Sequence, residues 1–189
     1  VTYIPHFLSV LVLVGMMKSF TNSDYGIVNI VIRSLGGQAA NWMQSAALFR
    51  PMYVGSAVWQ NMGWDAIIYI AALAGIDPTL HEAAMIDGAN RMQRIWHINI
   101  PGILPTMVIL LILNAGNIMN VGFEKIFLMQ NDLNMSVSDV ISTYSYRIGI
   151  ESAQYSLSTA ISLFNSVVNC ILLFLVNGIS RKVGETSLW

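Results

Sequence analysis

Four long stretches of this chain carry almost no charge, and that spacing decides what it can fold into. Val1 to Met17 holds no Asp, Glu, Lys or Arg; Pro51 to Ile76 holds Asp65 alone; Ile95 to Phe123 and Ser152 to Ser180 hold none. A helix rises about 1.5 Å per residue, so about 20 mainly apolar residues cross the roughly 30 Å hydrocarbon core of a bilayer. Composition points the same way. Charged residues make up 10% and hydrophobic residues 55% of the 189, with mean hydropathy +0.60. An average soluble domain is roughly 25% charged, and a smaller share leaves too few charges to cover a water-facing surface. Intrinsic disorder is excluded, a soluble enzyme is disfavoured, and a soluble helical bundle is a remote option. Four spans are expected.

The rest of the inventory is mostly exclusion. A net charge of −1 and a pI near 6.3 offer no basic face for nucleic acid. The single cysteine, Cys170, rules out an intrachain disulfide or a cysteine-rich zinc site and reads as an inert membrane thiol. His6, His81 and His97 lack metal-ligand spacing, and the 11 methionines read as adaptable packing, so no metal and no cofactor is expected. The opening VTYIPHF has neither a methionine nor a basic leader. It reads as a cut through a longer protein, of which this is a C-terminal portion preceded by further spans.

Ser34 to Phe49 is uncharged but contains Gly36, Gly37, Gln38, Asn41 and Gln44, so it reads as an exposed or interfacial segment with Trp42 at headgroup level. Gly26, Asn29 and the double glycine suggest turns around a short apolar helix, Ile27 to Leu35. With four spans, the connections 18–50 and 119–151 share one side and carry Lys18, Arg33, Arg50, Lys125 and Arg147. The other side carries Arg91, Arg94, Arg181 and Lys182. The positive-inside rule finds no useful asymmetry there, so charge leaves the orientation open.

The connection IDPTLHEAAMIDGANRMQRIWHINIPGILP is the most informative segment. Asp77 before Pro78 is a helix start, a side-chain cap followed by a residue whose missing N–H costs nothing at the first helical position. Thr79 to Ile86 continues the helix, and Gly88 stops it in the left-handed conformation. Ala83 and Ala84 leave a thin surface on which another protein can pack closely. Asp87 either satisfies backbone donors or pairs with Arg91 four residues on. A docking element and an ordinary interfacial helix both fit these residues.

Glu82-Ala83-Ala84, Asp87-Gly88-Ala89, Ile98 and Pro101 resemble the EAA loop of binding-protein-dependent ABC transporter permeases: EAA, three residues, G, nine to twelve residues, then a hydrophobic residue and LP. Ile100 replaces the leucine of that LP, and His81 stands where tyrosine is commoner. WQNMGWDAIIYIAALAGID, GFEKIFLM, DVISTYSYRIG and the closing SRKVGETSLW are similar to the carbohydrate and polysaccharide permeases of the group. The resemblance implies an all-α membrane protein, the C-terminal portion of an ABC type-1 importer permease bundle. It implies spans at about 1–18, 51–76, 99–119 and 155–179, a cytoplasmic coupling loop at 77–98, and extracytoplasmic segments at 19–50 and 120–154. Glu82, Ala83, Ala84, Asp87 and Gly88 would then couple the spans to an ATP-binding ABC subunit. The other implied partners are a second, different permease chain, an extracytoplasmic solute-binding protein, the lipid bilayer of the cell membrane, and a sugar or oligosaccharide. No ATP hydrolysis is expected here, and the sequence has no GxxxxGK[ST] loop.

Several polar residues inside the spans have two readings each. Asp65 either lies near the sugar path or is close to a helix end or paired within the bundle. Trp59, Gln60 and Asn61 suit sugar stacking and hydroxyl recognition or else interfacial packing. Asn114, Asn117 and Asn120 form a three-residue stripe, and Trp59, Asn61, Asp65, Asn114 and Asn117 are the candidate substrate-path residues. Ser156, Ser158, Thr159, Ser162, Asn165, Ser166 and Asn169 recur at helical spacing in the last span, for helix packing first and cavity lining second. A secondary carrier or channel, a structural membrane subunit and an ABC permease for a non-sugar solute are the competing functions. Neither of the first two has reason to display a capped EAA…G helix.

Overall fold

The computed structural model describes residues 2–184, with side chains through Arg181. Val1 at the head of the first expected span, the Lys182 side chain and residues 185–189 of the closing resemblance lie outside that description. Every regular element among the described residues is helical: α1 (Val10–Phe20), α2 (Ile27–Ser34), α3 (Ala46–Ala74), α4 (Pro78–Ile86) and α5 (Arg91–Arg94) come first. They are followed by α6 (Ile100–Ala115), α7 (Phe123–Met129), α8 (Met135–Ser138), α9 (Ile141–Tyr146) and α10 (Tyr155–Gly184). A π turn over Ile95–Asn99 joins α5 to α6, so Arg91–Ala115 runs as one helix of 25 residues. That helix and Tyr155–Arg181, of 27 residues, are long and apolar enough to cross a bilayer. With 29 residues α3 is long enough too, but Trp59, Gln60, Asn61, Trp64 and Asp65 lower its apolarity. The first expected span is broken: a 3-10 turn at Ile4–Phe7 ends at extended Leu8, and Ser9 then caps the 11 residues of α1.

The chain divides into two compact units. The first takes residues up to Gly63 and Asn120–Phe164. Its apolar centre is Val14 of α1, Phe49 of α3 and Ile126 and Met129 of α7, all buried. α2 falls where the apolar run predicted it, but Asn29 makes no turn. It sits inside the helix, fully buried, with its amide nitrogen donating to the carbonyls of Thr21 (3.2 Å), Asn22 (2.9 Å) and Ala40 (3.0 Å). Its Oδ1 accepts from the Ala40 N–H and from Trp42 Nε1, both at 3.1 Å. A buried amide satisfied on both ends fixes the chain on either side of α2. Trp42 is therefore half-buried and tethered, and α3 begins at Ala46, ahead of the expected Pro51.

Asn134 plays a similar part further along. Its amide donates to the carbonyls of Met43 (2.9 Å) and Met129 (3.1 Å), and its Oδ1 accepts from the Asn131 N–H (2.9 Å) and Ser138 Oγ (3.0 Å). Lys125, whose pKa burial pushes down, donates to the Tyr53 carbonyl at 3.3 Å and stands over the Tyr53 ring. Phe123, Phe127 and Tyr146 form an aromatic cluster between α7 and α9.

The second unit takes Trp64–Met119 and the chain from Asn165 on. Ile112 of α6 is fully buried, and Gly116 lies so close to Leu173 of α10 that an added Cβ would sit 2.7 Å from its Cδ1. Asn169 accepts from the Met119 N–H at 3.3 Å. The apolar side chains Leu104, Leu111, Ile171, Phe174 and Ile179 face outward. Small and amide residues at the contacts with leucine and isoleucine outside is the arrangement lipid favours.

Candidate functional site

The segment between α3 and the helix beginning at Arg91 folds as its chemistry predicts. Asp77 Oδ1 accepts the Thr79 N–H at 2.9 Å, which holds the carboxyl below its ordinary pKa, and Pro78 opens α4. At the other end Gly88 takes φ +77°, the left-handed region that suits glycine. Its N–H donates to Met85 (3.1 Å), and the Ala89 N–H reaches back to Ala84 (2.8 Å). That pair of bonds is a Schellman motif, and it satisfies carbonyls that α4 would otherwise leave open. A capping box between Asn90 and Gln93 then starts the next helix, with reciprocal bonds of 2.9 and 2.7 Å. The π turn at Ile95–Asn99, closed by the Ile100 N–H on Ile95, precedes Pro101, which has no N–H for the carbonyl four residues back.

No residue of α4 is buried. Glu82, Ala83, Asp87 and Gly88 are exposed and Ala84 is half-buried. Leu80 and Met85 are about half exposed, and Ile86 is 87% exposed. This nine-residue helix is capped at both ends and presents leucine, methionine and isoleucine outward, and the described residues bury none of it. The i,i+4 pairing of Asp87 with Arg91 does not form: the only ion pair among the described residues is Arg147 with Asp139. Gly88 ends α4 between them, so they do not share a helix face.

The candidate path residues are placed less decisively. Asn61 Oδ1 lies 3.1 Å from His6 Nδ1, and its amide donates to the Ala57 carbonyl at 3.1 Å. Gln60 is buried and donates to the Leu8 carbonyl at 3.0 Å, so it fastens the 3-10 turn to α3. Trp59 borders an apolar groove of about 280 Å³ with Leu13, Met16, Met17, Phe20 and Ser56. Asp65 is exposed, well inside α3, with no bond or ion pair to the described residues. Asn114 is exposed on α6, and Asn117 donates to the Leu113 carbonyl at 3.2 Å in the turn that follows. The polar stripe of α10 is used in packing at its start: Ser158 Oγ lies 2.8 Å from Ser145 Oγ, and Ser162 Oγ 3.4 Å from it. Asn29 and Asn134 escaped notice as fixing residues. An asparagine inside the otherwise apolar run IVNIVI was the one signal available.

Among the described residues, the chain has two helices long and apolar enough to cross a bilayer, and a doubly capped exposed helix ahead of the first of them. Comparison with known sequences gives the family. Residues 1–185 match the model of the binding-protein-dependent transport system inner membrane component, and the chain belongs to that family. It is 44% identical over 187 residues, 99% of its own length and 59% of the relative's, to Protein LplB of Bacillus subtilis (strain 168). It is 38% identical over 99% of its length and 58% of the relative's to the polygalacturonan/rhamnogalacturonan transport system permease protein YteP of the same organism. A solved bacterial alginate ABC transporter, in complex with an alginate pentasaccharide-bound periplasmic protein, contains a chain that superposes with TM-score 0.95 at 37% identity. The overlap covers 99% of this chain and 65% of that one. The chain thus spans about three fifths of the length of these relatives. The family resemblance, the all-α permease fold and the inner-membrane location expected from the EAA segment all stand.

Proposed function

We propose that the protein is a permease subunit of an ATP-driven, binding-protein-dependent importer of sugars or oligosaccharides. The observation that carries this reading is α4, an exposed helix with EAA…G at its end, capped on both sides and with no residue buried by the described residues. Glu82 supplies a polar contact to a separate ATPase subunit, Ala83 and Ala84 permit close approach, and Leu80, Met85 and Ile86 supply apolar surface. Gly88 and Asp87 close the helix so that it moves as a rigid body. ATP binding draws the two ATPase subunits together, α4 passes the movement to the spans, and the cavity opens outward to receive sugar. The chain itself hydrolyses nothing.

On this reading 77–98 is cytoplasmic and 19–50 and 120–154 are extracytoplasmic, with the spans at about 1–18, 51–76, 99–119 and 155–179. A second permease chain completes the path, and a solute-binding protein delivers substrate. Trp59, Asn61, Asp65, Asn114 and Asn117 are its candidate lining. Asp65 supports this, because an acid with no partner among the described residues, on a helix read as a span, calls for a cavity or a neighbouring subunit. The sugar class is supported by the relatives' names, which mention polygalacturonan, arabinooligosaccharides and alginate.

The test uses the full-length parent with Cys170→Ser and Ala84→Cys in membranes containing every transporter subunit. A short bifunctional thiol crosslinker is expected to give an adduct with the ATPase subunit that changes with ATP. Labelling of Ala84→Cys from outside only, or the absence of any ATPase adduct, overturns the reading and favours an ATP-independent carrier.

A further inference from the structure

A polar cavity of about 460 Å³ lies in the first unit, between the end of α1, the 41–44 segment and the Asn131–Asp132 turn. Its size is that of a small-molecule site, for which about 300–1,000 Å³ is usual. Trp42 forms part of its wall, and the bond from its Nε1 to Asn29 fixes the ring in place. Two kinds of polar side chain line it. Asn22 and Asn131 are spent on the scaffold: Asn22 Oδ1 accepts the Asp24 N–H (2.9 Å), and Asn131 Oδ1 accepts the Leu133 N–H (3.0 Å). The side chains of Lys18, Asn41, Gln44 and Asp132 make no hydrogen bond to the described residues, and all four residues are exposed.

We propose that this cavity binds a neutral pyranose ring of an oligosaccharide. An aromatic face attracts the C–H edges of a sugar through its negative π cloud. Primary amides offer donor and acceptor side by side, the complement of two neighbouring hydroxyls, each of which both donates and accepts. The walls hold one cation, Lys18, and one anion, Asp132, so they carry no net charge to favour a uronate. A second cavity of about 260 Å³ shares Asn131 and Asp132 and is bordered by Phe127 and Tyr146. The cation there, Arg147, is paired with Asp139 at 2.6 Å, and the walls add the acids Asp132 and Glu151, so no free positive charge invites a uronate. The pair of cavities therefore suits adjacent rings of a linear neutral chain.

The site takes its sidedness from the importer reading above, which puts 19–50 and 120–154 outside. There it would hold sugar before entry, apart from the candidate path residues. The experiment uses the complete transporter in nanodiscs without its solute-binding protein. Its probes are xylotriose, maltotriose and cellotriose, with xylose and trigalacturonate for comparison.

Saturable binding of at least one neutral trisaccharide is expected, tighter than xylose and at least about tenfold tighter than trigalacturonate. Asn41→Ala with Gln44→Ala should weaken it about tenfold, the size of two lost hydrogen bonds. Both side chains are exposed and make no bond to the described residues, so the melting temperature should hold. Trp42→Phe should abolish the accompanying fluorescence change. No binding of any neutral probe, or equal affinity in the double variant, overturns the proposal. In a second titration with the solute-binding protein added, a double variant that weakens only its association also overturns the proposal, since the cavity is then a protein contact. The Ala84→Cys adduct, measured on the same sample, separates the readings: an intact adduct with no sugar binding removes this site alone.

Discussion

Gly88 offers the sharpest test of how α4 works, because its surroundings isolate one physical term. An added Cβ at this position meets nothing within 4 Å, so alanine here costs no steric clash with the described residues and larger side chains start into open space. The whole penalty lies in the backbone at φ +77°. An ordinary L residue in the left-handed region costs about 1–2 kcal/mol, and a β-branched one about 2–3 kcal/mol. The cap that requires this conformation is held by two bonds, Gly88 N–H to Met85 and Ala89 N–H to Ala84, at about 1 kcal/mol each. Strain of about 2–3 kcal/mol matches or exceeds that retention, so valine should open the cap in most molecules, and alanine in a smaller share. Asparagine tolerates the left-handed region and should keep it closed. Sugar uptake in proteoliposomes, normalised to permease abundance, is therefore expected to fall in the order Gly, Asn, Ala, Val. Gly88→Val should lose at least about tenfold, a difference of about 1.4 kcal/mol, while ATPase activity continues. If Gly88→Asn fails as badly as Gly88→Val, bulk at a partner surface is the cause and the conformational argument is wrong. Normal uptake by Gly88→Val would defeat the role given to the cap.

Two further perturbations probe the scaffold of the first unit. Asn29→Ala leaves the half-buried Trp42 Nε1–H and Ala40 N–H without their acceptor, and should lower the stability of the full-length permease by about 2–3 kcal/mol in detergent denaturation. A red-shifted Trp42 emission should accompany the loss, and an Asn29→Leu protein as stable as the parent would count against the network. Asp139 is pushed up by burial, but hydrogen bonds from Arg147 (2.6 Å) and Thr143 (2.9 Å) outweigh this and hold its carboxyl below the ordinary value. A lowered carboxyl contributes above its unfolded pKa of about 3.9 and loses that contribution as pH falls through the folded value. Amide protection factors in α9, corrected for the intrinsic exchange rate, should therefore be insensitive to this group from pH 7 down to about 4 and fall below it, and Asp139→Asn should remove that acid limb. The effect is small because both partners are partly exposed.

How far the sequence could be read depended on how far each interaction reaches along the chain. Everything that shapes α4 is local: Asp77 bonds two residues on, Gly88 and Ala89 bond back three and five, and Asn90 caps its own helix. Those contacts follow from residue type and order alone, so the shape of α4 was legible from the sequence. Asn29 and Asn134 are the opposite case. Asn29 is joined to Trp42 thirteen residues away and Asn134 to Met43 ninety-one away, and nothing in their neighbours announces either partner. Reading Asn29 as a turn residue followed its usual preference, and the tertiary contact overrode it. The broken first span follows the same rule, since Gln60 holds the Leu8 carbonyl from fifty-two residues away and keeps Ser9 free to cap α1. Trp59, Asn61, Asp65, Asn114 and Asn117 lie beyond both kinds of reading. Asn61 and Asn117 have bonds within the chain, but Asp65 and Asn114 face outward. An outward acid or amide at membrane depth gains its meaning from what stands opposite, and in a permease that is another subunit or the solute.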